Sequence, residues 1–310
     1  LFILPGGVIS DRRHRGSWLS QLYMLYTLPI ALLLGAIIYD QLTFTVLIVF
    51  GMTFGTVSAF VQPARESLLG YAPQTLMHQA VAKVVMIQFI AQGVGFAIAG
   101  QLEGLGLVVM LSLQLGMFLL SAVLIKRSHP EVVANKSVVP VDVTEKPESG
   151  TSLSELRAGF ALFARDKILL HLLLLVSATG FLAFGVYLVG MPLLAREGYQ
   201  GGAGLFALMQ VSFTLGIVAA NFSVSRQKDT FKRPGRLMII SFLGRGSLVF
   251  FIALLPNFWL LFPIIFAWGA FSGLSMTLGR TILHNQVPHS HRSRAASVYQ
   301  LCLFGGAPLG

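Results

Sequence analysis

The chain has 310 residues, of which 55% are apolar and 11% charged, with a net charge of +10 and a mean hydropathy of +0.76. Soluble domains carry about 25% charged residues. Too few charges are present here to coat a soluble protein of this size, and a polytopic membrane protein is expected. The single cysteine, Cys302, excludes an intrachain disulfide and a cysteine-based metal cluster.

In chain order, an apolar run over 1–9 leads into a short basic turn, Gly7-Val-Ile-Ser-Asp11-Arg12-Arg13-His14-Arg15-Gly16, and the apolar run 18–38 leads out of it. Further apolar runs cover 43–60, 84–102 and 105–125. Each is about the 20 residues that cross a bilayer as a helix. Residues 126–150 lack helical periodicity and read as a linker. Ser152 and Glu155 then have the spacing of a capping box, followed by Leu153, Leu156, Phe160 and Phe163 on one face. That short amphipathic helix has two readings, one on the membrane surface and one packed on protein. The second set of spans is 168–194, 205–224, 237–255 and 258–278, with a last run from Ala295. The first and last runs are short, so the chain reads as beginning inside one helix and ending inside another.

Basic residues set the expected orientation. Of the 22 Lys and Arg, all but Arg196 and Arg245 fall in alternate loops, starting with the turn at Arg12. Those loops are expected in the cytoplasm. This asymmetry accounts for the net charge without nucleic acid. A shift of 215 positions places Arg65 on Arg280, Leu68 on Leu283, Pro73 on Pro288 and Gly95 on Gly310. A parallel repeat of half a chain is a transporter architecture, with substrate between the halves. The repeat implies roughly 50 residues before the start and twelve spans in the whole.

The pattern Gly7-x-x-x-Asp11-Arg12-x-x-Arg15 between two apolar runs resembles the signature loop of the major facilitator superfamily of secondary transporters, with His14 and Gly16 departing from the usual residues. Pro63-Ala64-Arg65, Gly95 and Gly100, Ser154 to Gly159, and His291-Arg-Ser-Arg294 resemble its enterobactin-exporter and macrolide-efflux branch. Phe96 after Gly95 departs from the Gly-Pro of many efflux members. The resemblance implies an all-α fold of two six-helix halves, with about nine spans complete or partial here. The halves would be 1–127 and 167–310, joined by a cytoplasmic linker over 128–166. It also implies a cytoplasmic gate of Gly7, Asp11, Arg12, Arg15, Arg65, Glu66 and Arg294, in which Asp11 meets a helix N-terminus near Ser293–Ala295.

Polar side chains inside spans are expensive and face other helices or a cavity. Gln88, Gln92, Tyr187, Gln210 and Asn221 fit either role, and Arg245 is either a pathway residue or a snorkelling cation. All but Asn221 are taken as the candidate substrate pathway. Gly93, Gly95 and Gly100 are expected to pack against a neighbouring helix. The twelve Asp and Glu all lie outside span centres, and His171 is the only histidine expected near a span. His284, His289 and His291 read as solvated loop residues. A coupling acid is therefore expected in helices preceding this stretch. No catalytic cluster, phosphate-binding loop, metal site or cofactor motif appears.

The sequence reading is a monomeric, non-enzymatic inner-membrane transporter that exports a small amphipathic compound, siderophore or drug-like, against protons. Metabolite uptake and a non-transporting sensor or scaffold are the alternatives.

Overall fold

The computed structural model describes residues 15–69, 77–134, 163, 166–227, 231, 233–255, 257–287 and 292–305. The described residues are helical with short connections and contain no strand. The helices are α1 (Arg15–Leu25), α2 (Thr27–Ile38), α3 (Phe44–Leu69), α4 (Met77–Ala99), α5 (Leu107–Ala134), α6 (Lys167–Ala178), α7 (Ala203–Arg226), α8 (Pro234–Ala253), α9 (Phe258–Gln286) and α10 (Arg292–Gly305). A single turn, Leu102–Leu105, precedes α5, and π-helical turns carry α6 on to Gly198.

Among the described residues, eight helical stretches are long and apolar enough to cross a membrane. Each shows large apolar side chains on an exposed face, among them Leu28, Met52, Leu120, Leu182, Leu243 and Trp259. In water that surface would be costly; against lipid chains it is the matching solvent. Helix starts follow local chemistry. Asp166 accepts a hydrogen bond from the Ile168 N–H at 2.8 Å, Asn257 accepts one from the Trp259 N–H at 3.2 Å, and Pro234 opens α8. Asp40, Gln200 and Leu255, each in the turn after a span, adopt left-handed φ of 54°, 52° and 51°. That conformation ends a helix in few residues.

Two compact units emerge from the packing. The first contains α1, α2, α3 and α5. Its centre is aromatic: Tyr26 stacks on Phe118 at 4.8 Å and lies 4.9 Å from Phe54. The Tyr26 hydroxyl donates to Ser58 Oγ at 2.8 Å, and Ser20 Oγ donates to the Ala122 carbonyl at 2.8 Å. The second unit contains α4 and α6–α9. Its core runs from Met77, Val81, Val85 and Phe89 on α4 through Met209, Phe213 and Ile217 on α7 to Leu261, Ile265 and Trp268 on α9.

The eight spans fall where the apolar runs place them, with corrections at polar ends. Helix α4 begins at Met77 rather than near 84 and ends at Ala99. Helix α9 continues through Arg280 to Gln286, where a polar loop was expected. Helix α5 continues to Ala134, into the expected linker. These extensions carry polar residues that hydropathy assigns to loops. The capping box at Ser152 and Glu155 lies outside the described residues. The 215-position repeat carries Ile38 onto Ala253 and Met77 onto Arg292, the end of α8 and the start of α10.

Candidate functional site

The stretch Lys167–Gly198 leaves α-helical geometry three times, at Thr179–Ala183, Val186–Gly190 and Leu194–Gly198. Pro192 supplies part of the cause, since its ring clashes with the carbonyl four residues earlier and it lacks an N–H. Gly180, Gly185 and Gly190 remove side chains that would resist the wider turn. Such π-turns concentrate at functional sites. Tyr187 lies in the middle one.

Its ring meets two others from different helices. Tyr187 is 4.9 Å from Phe213 of α7 and 6.2 Å from Trp268 of α9, and Phe213 lies 5.1 Å from Trp268. Gln210, one turn before Phe213, is 3% exposed and faces the Tyr187 side chain. The Tyr187 hydroxyl and the Gln210 side chain interact with each other but not at full hydrogen-bond geometry, and Trp268 Nε1 is buried without a hydrogen bond. A buried polar atom left unpaired costs about 1–3 kcal/mol. These polar groups, on three helices and around one aromatic centre, form the candidate site.

The frame that holds it is a ladder of small residues. Helices α7 and α9 run parallel, and Phe213, Ile217 and Asn221 meet Gly269, Gly273 and Thr277 in steps of one turn. A Cβ on Gly269 would overlap the Phe213 carbonyl oxygen, and one on Gly216 would overlap that of Phe266. A Cβ on Gly273 would come within 2.8 Å of Asn221 Nδ2. This close approach brings Trp268 onto Phe213. Asn221 is wholly buried, donates from Nδ2 to the Ile217 carbonyl at 2.9 Å and accepts from the Thr277 hydroxyl. Its role is therefore an interhelical bond.

On α4, a Cβ on Gly93 would stand 2.8 Å from Thr214 Oγ1, and one on Gly100 2.6 Å from the Ala207 Cβ. Gly95 has nothing within 4 Å and lies on an exposed face. The packing expected of Gly95 is absent because residues two apart point to nearly opposite sides of a helix. Gln88 and Gln92 are half-buried beside the buried stripe of Val81, Val85 and Phe89.

Arg245 stands apart from the aromatic cluster. Its Nη2 donates to Thr179 Oγ1 at 3.1 Å, and its guanidinium lies 4.8 Å from the Phe242 ring centre. Thr179 in turn donates to the Leu175 carbonyl at 2.9 Å. Thr179 precedes Tyr187 by roughly 12 Å of helix rise. Arg245 thus ties α8 to the point where the Lys167–Gly198 stretch first widens.

Of the expected gate, Gly7, Asp11 and Arg12 lie outside the described residues. Arg15, Glu66 and Arg294 fall in α1, α3 and α10 with side chains outside the description, and Arg65 is half-buried near the end of α3. The acids whose side chains are described, Asp40, Asp166 and Glu197, all lie at helix ends. Histidine needs correction. His78 and His284 are inside α4 and α9, 1% and 3% exposed. His284 is therefore not a loop residue. His78 Nε2 lies 3.1 Å from the Gln227 carbonyl, which also accepts from Gln79 Nε2 at 2.8 Å.

Sequence reasoning missed Phe213, Trp268, Gly216, Gly269 and Gly273. The four-residue spacing of Gly269 and Gly273 is the packing signal that marks α9 as close to a neighbour.

The family model MFS_3, described as "Transmembrane secretion effector", matches residues 1–310. No curated protein sequence matches the chain. Among solved structures, a variant of the E. coli fucose:proton symporter FucP is similar, with a TM-score of 0.65 at 15% identity over 100% of this chain and 78% of that one. A major facilitator superfamily transporter structure of FucP in the outward conformation has a TM-score of 0.63 at 15% identity, covering 99% of this chain and 77% of the other.

Proposed function

Because this chain belongs to the transmembrane secretion effector family of the major facilitator superfamily, it is a multi-pass membrane transporter, and we propose that it exports a small amphipathic compound by alternating access. The family description, "Transmembrane secretion effector", is the observation that favours export over uptake. Protons are the proposed coupling ion, supported by the proton symporter that shares the fold. In this reading the protein sits in the inner membrane with its basic loops in the cytoplasm, as the distribution of Lys and Arg favours. Gly7, Asp11, Arg12, Arg15, Arg65, Glu66 and Arg294 form the cytoplasmic gate. The spans before the linker over 128–166 and those after it work as two halves around the substrate. Gln210 and Tyr187 line the pathway, with Gln88 and Gln92 contributing from α4. Arg245 acts on the pathway through Thr179.

The test is transport in inverted membrane vesicles carrying the full-length protein, energised by respiration and screened with fluorescent amphipathic compounds. Export predicts accumulation inside the vesicles that collapses when the proton gradient is dissipated. Gradient-driven uptake in right-side-out vesicles would instead establish import, and no movement in either orientation would leave a sensor or scaffold.

A further inference from the structure

Helices α4 and α7 run antiparallel along one seam, and its two ends differ in chemistry. Toward one end, Gly100 meets Ala207 and Gly93 meets Thr214 with no room for a Cβ. Roughly 22 Å of helix rise separate Gly93 from His78. There the seam turns polar. His78 Nε2 lies 3.1 Å from the carbonyl of Gln227, the residue that ends α7, and Gln79 Nε2 donates to the same oxygen at 2.8 Å.

This polar contact is poised rather than locked. A carbonyl oxygen only accepts, so His78 Nε2 carries the hydrogen and both acceptor sites of the Gln227 oxygen are filled. The other ring nitrogen, Nδ1, is then left as an acceptor. His78 is 1% exposed, and Nδ1 is buried without a partner. The closed contact therefore keeps one polar atom out of water, and parting the helix ends would hydrate it. Gln227 is exposed, with an extended ψ of 121°, so water can take the place of the two donors on its carbonyl. Met77 and Val81, wholly buried beside His78, hold the ends together by their apolar burial and keep an open form minor.

The role of such a contact rests on the transport reading above. Helix α4 precedes the linker over 128–166 and α7 follows it, and the His78 end of the seam lies on the side of the basic loops. Alternating access requires the two halves to part on that side once in each cycle. We propose that His78 and Gln79 form a releasable latch on the Gln227 carbonyl. Made, it holds the ends of α4 and α7 together on the cytoplasmic side. Broken, it lets the end of α4 swing away about the glycine contacts.

The experiment follows the rate at which N-ethylmaleimide labels Val81→Cys in the full-length protein in lipid nanodiscs, with Cys302 replaced by serine and with no gradient or substrate. Val81 is one turn from His78 and is uncovered when the ends part. Leu261→Cys, also wholly buried but at the start of α9, is the control for general loosening. Gln79→Met keeps the volume and withdraws one donor. It should raise the Val81→Cys rate roughly 3- to 10-fold, the effect of one hydrogen bond on a minor open form, and leave Leu261→Cys unchanged. Adding His78→Phe withdraws the second donor and should raise the rate further. Adding His78→Gln, which keeps a donor, should not. Thermal unfolding checks each variant, and Gln79→Met alone decides the matter if a double variant does not fold. Unchanged labelling in the folded variants, an equal rise at Leu261→Cys, or equal rates with His78→Phe and His78→Gln would overturn the proposal. Labelling needs no transport, so the two readings fail separately. Latch opening in a protein that moves no compound would remove the transport reading alone, and transport with unchanged labelling would remove the latch alone.

Discussion

Gly269 of α9 lies directly on the backbone of Phe213 of α7, so close that a Cβ would overlap the Phe213 carbonyl oxygen. The contact fixes the separation of two helices and, through it, the seat of Trp268 on Phe213. In lipid, where apolar side chains gain nothing by leaving the solvent, such backbone approach is the main source of helix association.

Gly269→Ala is therefore expected to destabilise the protein by about 1–3 kcal/mol, the usual cost of overpacking. The α9 backbone must retreat, because a carbonyl on a helix cannot rotate away as a side chain can. Gly95→Ala, with nothing within 4 Å of the new methyl, serves as the matched control and should be neutral. Thermal unfolding of the purified protein in detergent compares the two. Equal unfolding temperatures would mean that the helices are not in backbone contact.

Two rungs further along the same ladder the contact is polar. Asn221 is wholly buried and accepts from Thr277, the residue two turns beyond Gly269. Thr277→Val keeps the shape and removes the donor, leaving Asn221 Oδ1 without a partner. A loss of roughly 0.5–2 kcal/mol is expected, in the range of interhelical hydrogen bonds in membranes. A double-mutant cycle with Asn221→Leu should show that the second change costs less once the first is made. Strict additivity would mean that the two side chains do not interact.

The spans were legible in the sequence because the bilayer imposes a length on every apolar run. Their ends were less so, since hydropathy stops counting at the first polar residues. Arg280 and His284 continue α9, and Met77 to Lys83 begin α4; in these extensions His284 and His78 are buried by the packing, while Arg280 is half-buried and Lys83 exposed. His284 was misplaced for that reason. The candidate site was half legible. Tyr187 and Gln210 stood out as polar residues within apolar runs. Trp268 and Phe213 did not, because an aromatic residue in a span carries no mark of which ring it will meet. Gly93 and Gly100, seven apart, share a face; Gly95 cannot share it, a distinction that helical geometry already contains.

Arg245 gives a prediction about conformational coupling. Its guanidinium bonds the Thr179 hydroxyl at the first π-turn of the Lys167–Gly198 stretch. Arg245→Met should release that stretch and lower transport several-fold, with Thr179→Val giving a smaller loss in the same direction. Arg245→Lys should not restore the wild type, since lysine lacks the planar face that lies over Phe242. Vesicle transport, normalised to inserted protein, reads all three. Unaltered transport in Arg245→Met would reduce the residue to a passive surface cation.

The last prediction concerns orientation. All Lys and Arg but Arg196 and Arg245 fall in one set of alternate connections or in the parts of the helices that border them, and basic residues near span ends are retained in the cytoplasm. The short turns at Asp40, Gln200 and Leu255 lie on the opposite set. With Cys302 replaced by serine, cysteines introduced at Gln41 or Gly202 should react with an impermeant maleimide in intact cells. Cysteines at Lys126 or Gln227 should react only after the membrane is opened. Three spans separate Gln41 from Lys126, one separates Lys126 from Gly202 and one separates Gly202 from Gln227, so the pattern checks for an odd number of crossings in each interval. Labelling of Lys126→Cys and Gln227→Cys in intact cells, with Gln41→Cys and Gly202→Cys protected, would invert the proposed topology. Labelling of all four would mean that the charge bias does not impose a single orientation.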